Sequence, residues 1–326
     1  MTKEKCKLVS VCIPVYNNEA YVVRTIESVV NQTYKNIEIV IVDDSSSDNS
    51  YETVKDEIKK LLSSGKIQKA FELSDCKLVY SQDTEKLNSP AQIDFDASGI
   101  PRLGPQASKT VCLYRNSANL GMSGNWNRCM ELCRGDFIKL ICADDQIDTK
   151  LIEEEVRVMD ENPDVLLVES DTVFVDKNNK KSGKYPRYGE GLMEGKTIAR
   201  KSIMRRDFFG APLANLIRTS AYKQYGGFDS EFNYIVDYDF FMKLACNGKI
   251  YVIREPLNFF CLREDSNTGE VLGGNKGKKY TEEHVKLVYK YAQDLNLSNL
   301  QIKISIVARK TLNLLGGIYL KLRVRS

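Results

Sequence analysis

Two apolar runs near the start of the chain constrain its fold more than anything else in it. Val9-Ser10-Val11-Cys12-Ile13-Pro14-Val15 leads into the polar stretch Tyr16-Asn17-Asn18-Glu19, and Ile37-Glu38-Ile39-Val40-Ile41-Val42 leads into Asp43-Asp44-Ser45. Between them, Ala20–Asn31 carries Val22, Val23, Ile26, Val29 and Val30 at helical spacing. Parallel strands joined in this way need a helical crossover, so the segment reads as a strand–helix–strand unit. Its polar groups gather where both strands end. In open α/β sheets, that carboxyl edge is where ligands bind.

The same reading extends along the chain. Strands are expected at Leu8–Pro14, Ile37–Val42, Lys77–Ser81, Thr110–Tyr114, Phe137–Ala143, Val165–Glu169, Thr172–Asp176, Ala214–Arg218 and Lys249–Ile253. Helices are expected at Tyr51–Leu62, Asn125–Cys133, Thr149–Asp160 and Asp237–Cys246, and from Glu282 onward. Residues 82–110 are rich in turn chemistry, such as Asn88-Ser89-Pro90 and Ser98-Gly99-Ile100-Pro101. They read either as a long loop or as a small hairpin beginning at Ile93-Asp94-Phe95-Asp96. Residues 182–211 show little periodicity and are expected to form a mobile segment.

Bulk properties narrow the function classes. A net charge of +3, with basic and acidic residues interspersed, gives no reason to expect a nucleic-acid partner. The nine cysteines form no CxxC pair, and Cys12, Cys142, Cys246 and Cys261 lie in apolar runs, as reduced thiols of a cytoplasmic protein do. Met1-Thr2-Lys3-Glu4-Lys5 has no apolar core of a signal peptide. No apolar run reaches the ~18–20 residues that span a bilayer. After Asp294 there is no acidic residue, while Lys303, Arg309, Lys310, Lys321, Arg323 and Arg325 alternate with Ile, Leu and Val. This basic tail has two readings. One is a helix packed on its own domain; the other is peripheral contact of 302–326 with an anionic membrane at the inner face of the cell membrane.

Three acidic groups carry the candidate chemistry. Asp43-Asp44 ends an apolar strand, where Asp can accept a hydrogen bond from a base or ribose; capping of the next helix is the alternative, which Ser46 or Asp48 also serves. Asp144-Asp145 ends another apolar strand. Adjacent carboxylates repel, a bound divalent cation relieves the repulsion, and hard oxygen ligands select Mn2+ or Mg2+. Capping of the helix from Thr149 is the alternative there. Asp237-Tyr238-Asp239 opens a helix, where the helix dipole alone favours Asp. Taken together, a nucleoside site, a metal–diphosphate site and a further carboxylate are the parts of a group-transfer site.

Val11–Glu19, Val42–Asp48, Asn119-Leu120-Gly121 and Cys142-Ala143-Asp144-Asp145, in this order, resemble the family 2 glycosyltransferases of GT-A fold, over residues 8–50 and 110–265. The resemblance implies an α/β fold, with a central mostly parallel sheet flanked by helices and a C-terminal helical extension. It implies a glycosyltransferase domain over 1–265 and a helical, basic region over 266–326. Pro14, Tyr16, Asn17, Glu19, Asp44, Asn119, Gly121 and Asp144 fall at nucleotide-binding positions, with Asp44 at the uracil contact. Asp144 and Asp145 match the metal-binding motif, Asp237 the general base, and Arg263 a late position facing the donor phosphates. The reaction that the resemblance implies is inverting transfer from a nucleotide-sugar, expected to be of the UDP type, to a glycan or lipid-linked glycan acceptor. Two departures stand out: Cys142 replaces the first acid of the usual Asp-x-Asp-Asp motif, and Val236 stands where Glu is common. His284, the one histidine, reads as a surface helix residue. A nucleotidyltransferase and a non-catalytic nucleotide-sugar-binding subunit are the competing readings. The first lacks its glycine-rich phosphate loop here, since the equivalent loop is Pro14-Val15-Tyr16-Asn17-Asn18.

Overall fold

The chain packs as two compact units, Met1–Glu161 with Leu216–Gln224, and Asn162–Asn215 with Tyr225–Ser326. The structure, a computed structural model, describes residues 6–74, 77–83, 109–263 and 277–323. The expected insertion at 82–110 falls almost wholly outside them.

The first unit is built on β1 (Val9–Val15) and β2 (Ile37–Asp43), both buried along their whole length. They pair in parallel, Val9 opposite Ile37 and Val15 opposite Asp43, so their polar continuations leave the sheet at one edge. Helix α1 (Val22–Val30) makes the crossover, burying Val22, Thr25, Ile26, Val29 and Val30. Helix α2 (Ser50–Ser63) follows. Next come β3 (Lys69–Ser74) and β4 (Lys77–Asp83), an antiparallel pair of which sequence analysis found only the second member. The unit continues with β5 (Thr110–Arg115), α3 (Gly121–Glu131), β6 (Phe137–Leu140), β7 (Gln146–Ile147) and α4 (Leu151–Glu161). With β11 (Asn215–Arg218) on β6, the strand order is β11-β6-β1-β2-β5-β3-β4. Pairings among β6, β1, β2, β5 and β3 are all parallel, the arrangement that α/β alternation dictates.

The second unit holds β8 (Val165–Val175), β9 (Lys181–Lys184), β10 (Gly191–Glu194) and β12 (Lys249–Cys261) in the order β10-β12-β8, with β9 antiparallel on β8. Its helices are α5 (Gly195–Met204), α7 (Val236–Asn247), α8 (Gly277–Tyr291) and α9 (Asn299–Arg323); the short α6 (Thr219–Tyr225) follows β11. Two expectations are corrected here. The polar run Glu169-Ser170-Asp171-Thr172 does not divide β8 into two strands, because partners are buried with it. Arg187 donates to Glu169, to the Ser170 carbonyl and to Thr172, while Asn258 donates to Ser170. Residues 182–211, expected as a mobile segment, contain the regular elements β10 and α5, and Ile198, Ala199 and Ile203 of α5 are buried.

Lys139 of β6 and Glu155 of α4 form a fully buried ion pair, with Nζ 2.9 Å from both carboxylate oxygens. Removing one partner of such a pair leaves an uncompensated charge in the core. Lys139→Met is expected to lower the unfolding free energy by about 3–5 kcal/mol in urea titration, and the double variant Lys139→Met/Glu155→Leu to recover most of that loss.

Candidate active site

At the carboxyl edge of the first unit, the loops after β1 and β2 hold each other. Asn17 and Ser45 adopt left-handed backbone conformations, φ 51° and 58°, which Asn tolerates and Ser reaches only when its surroundings fix it. The fixing bonds are visible. Asn17 N–H donates to Ser46 Oγ at 3.1 Å, and Ser47 N–H donates to Asn17 Oδ1 at 2.9 Å. Asn49 N–H donates to Glu19 at 2.8 Å, and Glu19 N–H to Asp48 at 3.3 Å. Pro14 is buried in β1, opposite Val42. Tyr16 is 48 % exposed. Helix α2 takes its N-terminal carboxylate from Asp48, which accepts from Ser50 N–H at 2.9 Å.

Asp44 is buried and gathers the loop between β5 and α3. Oδ1 accepts from Asn116 Nδ2 at 2.8 Å and Leu120 N–H at 2.9 Å; Oδ2 accepts from Gly121 N–H at 3.0 Å. Asn119 Nδ2 donates to the Asp44 carbonyl at 3.1 Å. Gly121 sits at φ 73°, a conformation that side-chain-bearing residues avoid, so glycine is needed where this loop turns into α3. Neighbouring Asp43 is fully buried beside Arg115, 3.4 Å away, and burial pushes its carboxyl above the usual range against the Ser46 and Arg115 contacts.

The acidic pair beyond β6 is tied to α1. Arg24 donates to the Asp144 carbonyl at 2.9 Å, and the Thr25 hydroxyl to the Asp145 carbonyl at 2.7 Å. Before helix α4, Asp148 accepts from Lys150 N–H at 3.0 Å. Among the described residues, no three His, Cys, Asp or Glu side chains converge on an ion. Two adjacent carboxylates fit a Mn2+ or Mg2+ ion that shares its coordination with substrate phosphates and water, and do not fit an all-protein cage.

In the second unit, Asp237 stands in the first turn of α7 and accepts from Tyr238 N–H at 2.8 Å. Burial, and then the charge of Asp207, pushes its pKa up to about 7. Asp207 escaped the sequence reading because it lies in the aperiodic stretch. It accepts from Phe209 N–H at 2.8 Å and from the Tyr185 hydroxyl at 3.0 Å. The approach to Asp237 is held from α8, where the Glu283 carboxylate accepts the backbone N–H groups of Asn233, Tyr234 and Ile235 at 3.0, 2.8 and 3.3 Å. Asp239, on the buried side of α7, is bound by Lys290 at 2.8 Å and by the Tyr291 hydroxyl at 3.0 Å. Arg263 follows β12 and is half-buried. His284 corrects its expected surface position: it is fully buried, its Nε2 is 3.3 Å from Ser305 Oγ, and burial and then the charge of Arg309 lower its pKa to about 3.

Residues 10–72 and 58–226 match the profile described as glycosyl transferase family 2. An uncharacterised Mycobacterium tuberculosis protein is 25% identical over 260 residues, covering 77% of this chain and 66% of its own length. Glycosyltransferase GlyG of Streptococcus pneumoniae is 52% identical over 46 residues, 14% of this chain and 15% of its own. The chain thus spans less than two thirds of these relatives. Among solved structures, S. aureus TarS 1-349 in complex with UDP-GlcNAc superposes with a TM-score of 0.59 at 17% identity, covering 91% of this chain and 69% of that one. Mannosyltransferase PcManGT from Pyrobaculum calidifontis, in complex with GDP-Man and Mn2+, gives 0.53 at 13%, covering 93% and 74%. At these identities the likeness shows the fold, which is the expected GT-A architecture.

Glu283→Ala strips three backbone donors of their shared acceptor. It is expected to lower the unfolding free energy by about 2 kcal/mol in urea titration, and Glu283→Gln, which keeps one acceptor oxygen, by less.

Proposed function

Since the chain belongs to glycosyl transferase family 2, we propose that it moves a sugar from a nucleotide-sugar, of the UDP type, to a hydroxyl of a glycan or lipid-linked glycan with inversion at the anomeric carbon. The observation that carries the reading is the state of Asp237. A carboxyl with a pKa near 7 is half ionised at neutral pH, the condition under which a general base accepts a proton most effectively.

In this mechanism the first unit holds the donor. The Asp44-pinned loop and the exposed Tyr16 serve the nucleoside, with Asn17, Glu19 and Asn119 fixing the loops around it. Asp144 and Asp145 would hold Mn2+ or Mg2+, which when bound supplies positive charge against the departing diphosphate. Arg263 adds a cation for the same phosphates. Asp237 takes the proton from the acceptor hydroxyl as its oxygen bonds to the anomeric carbon and the bond to the nucleoside diphosphate breaks. One displacement from the opposite face inverts the centre. The UDP and GDP ligands of the two structural neighbours support a nucleotide-sugar donor in general; the UDP assignment rests on the motif resemblance.

Calorimetric titration with UDP and, separately, GDP, in Mn2+ and then in excess chelator, tests the donor half. Metal-dependent binding of UDP, weakened in Asp145→Ala, is the expected result; equal affinity with and without metal would remove the pair from the site. Asp237→Asn is expected to abolish transfer while leaving UDP affinity within about twofold, because the base acts on the acceptor alone. Wild-type turnover should rise with pH between about 6 and 8 as Asp237 loses its proton. Asp207→Asn removes the neighbouring charge that raises this pKa, so the rising limb should move to lower pH. A limb that stays in place would detach the base from this pair.

A further inference from the structure

The opening turns of α9 present two different faces. Ile302, Ser305 and Arg309 are buried, whereas Leu300, Ile304 and Val307 are 67 %, 48 % and 61 % exposed. The exposed three are spaced by four and three residues, which places them on one stripe of the helix. Lys303 and Lys310, both exposed, lie along one edge of that stripe. No acidic residue follows Asp294.

We propose that this face of α9 docks the protein on an anionic lipid surface, with the apolar stripe entering the headgroup boundary and the lysine edge meeting the lipid phosphates. Among the described residues no helix is long and apolar enough to cross a membrane, and the proposed contact is one along the surface. The four–three spacing would also suit a coiled coil with a second copy. Such a pairing sets one lysine-edged, acid-free helix against another, and nothing on the helix neutralises the charge. An anionic bilayer neutralises it directly, which decides between the two occupants.

Sedimentation of the full chain with vesicles tests the proposal, using phosphatidylcholine alone and phosphatidylcholine mixed with phosphatidylglycerol. Co-sedimentation is expected with the anionic vesicles only, and is expected to weaken as salt screens the lysines. Lys303→Glu/Lys310→Glu, and separately Ile304→Asp/Val307→Asp, are expected to lower partitioning by about tenfold or more with melting temperature and UDP affinity unchanged. Wild-type protein left in the supernatant with anionic vesicles, or variants that bind like wild type, would overturn it. So would a dimer in light scattering that Val307→Asp converts to monomer, which assigns the face to a second copy. None of these readouts depends on the transferase reading, so either conclusion can fail alone.

Discussion

The carboxylate of Asp44 is the bond hub on which the candidate donor edge depends. It closes β2, and it holds Asn116, Leu120 and Gly121, the residues that carry the chain from β5 into α3. A buried carboxylate costs free energy unless its oxygens accept hydrogen bonds, and these donors supply them. The loop in turn gains one conformation from many. The neighbouring loops are set in the same manner through Asn17, Ser46 and Glu19, so the edge is preorganised by hydrogen bonds within the protein before any ligand arrives.

The second unit works by the opposite principle. Asp207 acts electrostatically on both Glu169 and Asp237, and Arg187 is the cation that reaches Glu169, at 3.4 Å. Burial raises all three carboxyls, and Asp207 raises the other two further. Arg187 spends most of its donors on carbonyls of Ser170 and Phe208, which leaves the acids only partly compensated. Burial and then the charge of Asp207 push the Asp237 carboxyl up to about 7. Glu155, by contrast, is paired in the core by Lys139 at both carboxylate oxygens.

The sequence made the first unit legible because its strands are continuous apolar runs and its helix has a clear 3.6-residue stripe. β1, α1 and β2 accordingly fall within two residues of their expected bounds. The second unit was harder to read because it buries polar groups. Glu169-Ser170-Asp171-Thr172 resembles a break in a strand until Arg187 is placed beside it, and Arg187 lies in a stretch without periodicity. Asp207 was hidden for the same reason. His284 looked like a surface residue because Lys, Glu and Tyr surround it on α8, yet the side facing Tyr238 and Ser305 is closed. β3 was missed because Lys69-Ala70-Phe71-Glu72-Leu73-Ser74 alternates too weakly to stand apart from the helix before it.

The motif residues themselves divide in an informative way. Asn17 and Glu19 spend side-chain oxygens on the loop after β2, and both oxygens of Asp44 are engaged by the loop after β5. A residue can therefore recur at a ligand-binding position because it shapes the loop, without touching the ligand. A carboxylate retains spare lone pairs after two or three bonds, so Asp44 can still serve a base while it holds the loop. Tyr16, exposed and next to Asn17, enters the loop network through its backbone carbonyl, which accepts from Asn18 Nδ2 at 2.9 Å, and not through its ring. Substitutions at Asn17 or Asp44 would disturb loop and ligand together. Tyr16 separates the two, because removing its ring changes contact area without removing a bond from the hub.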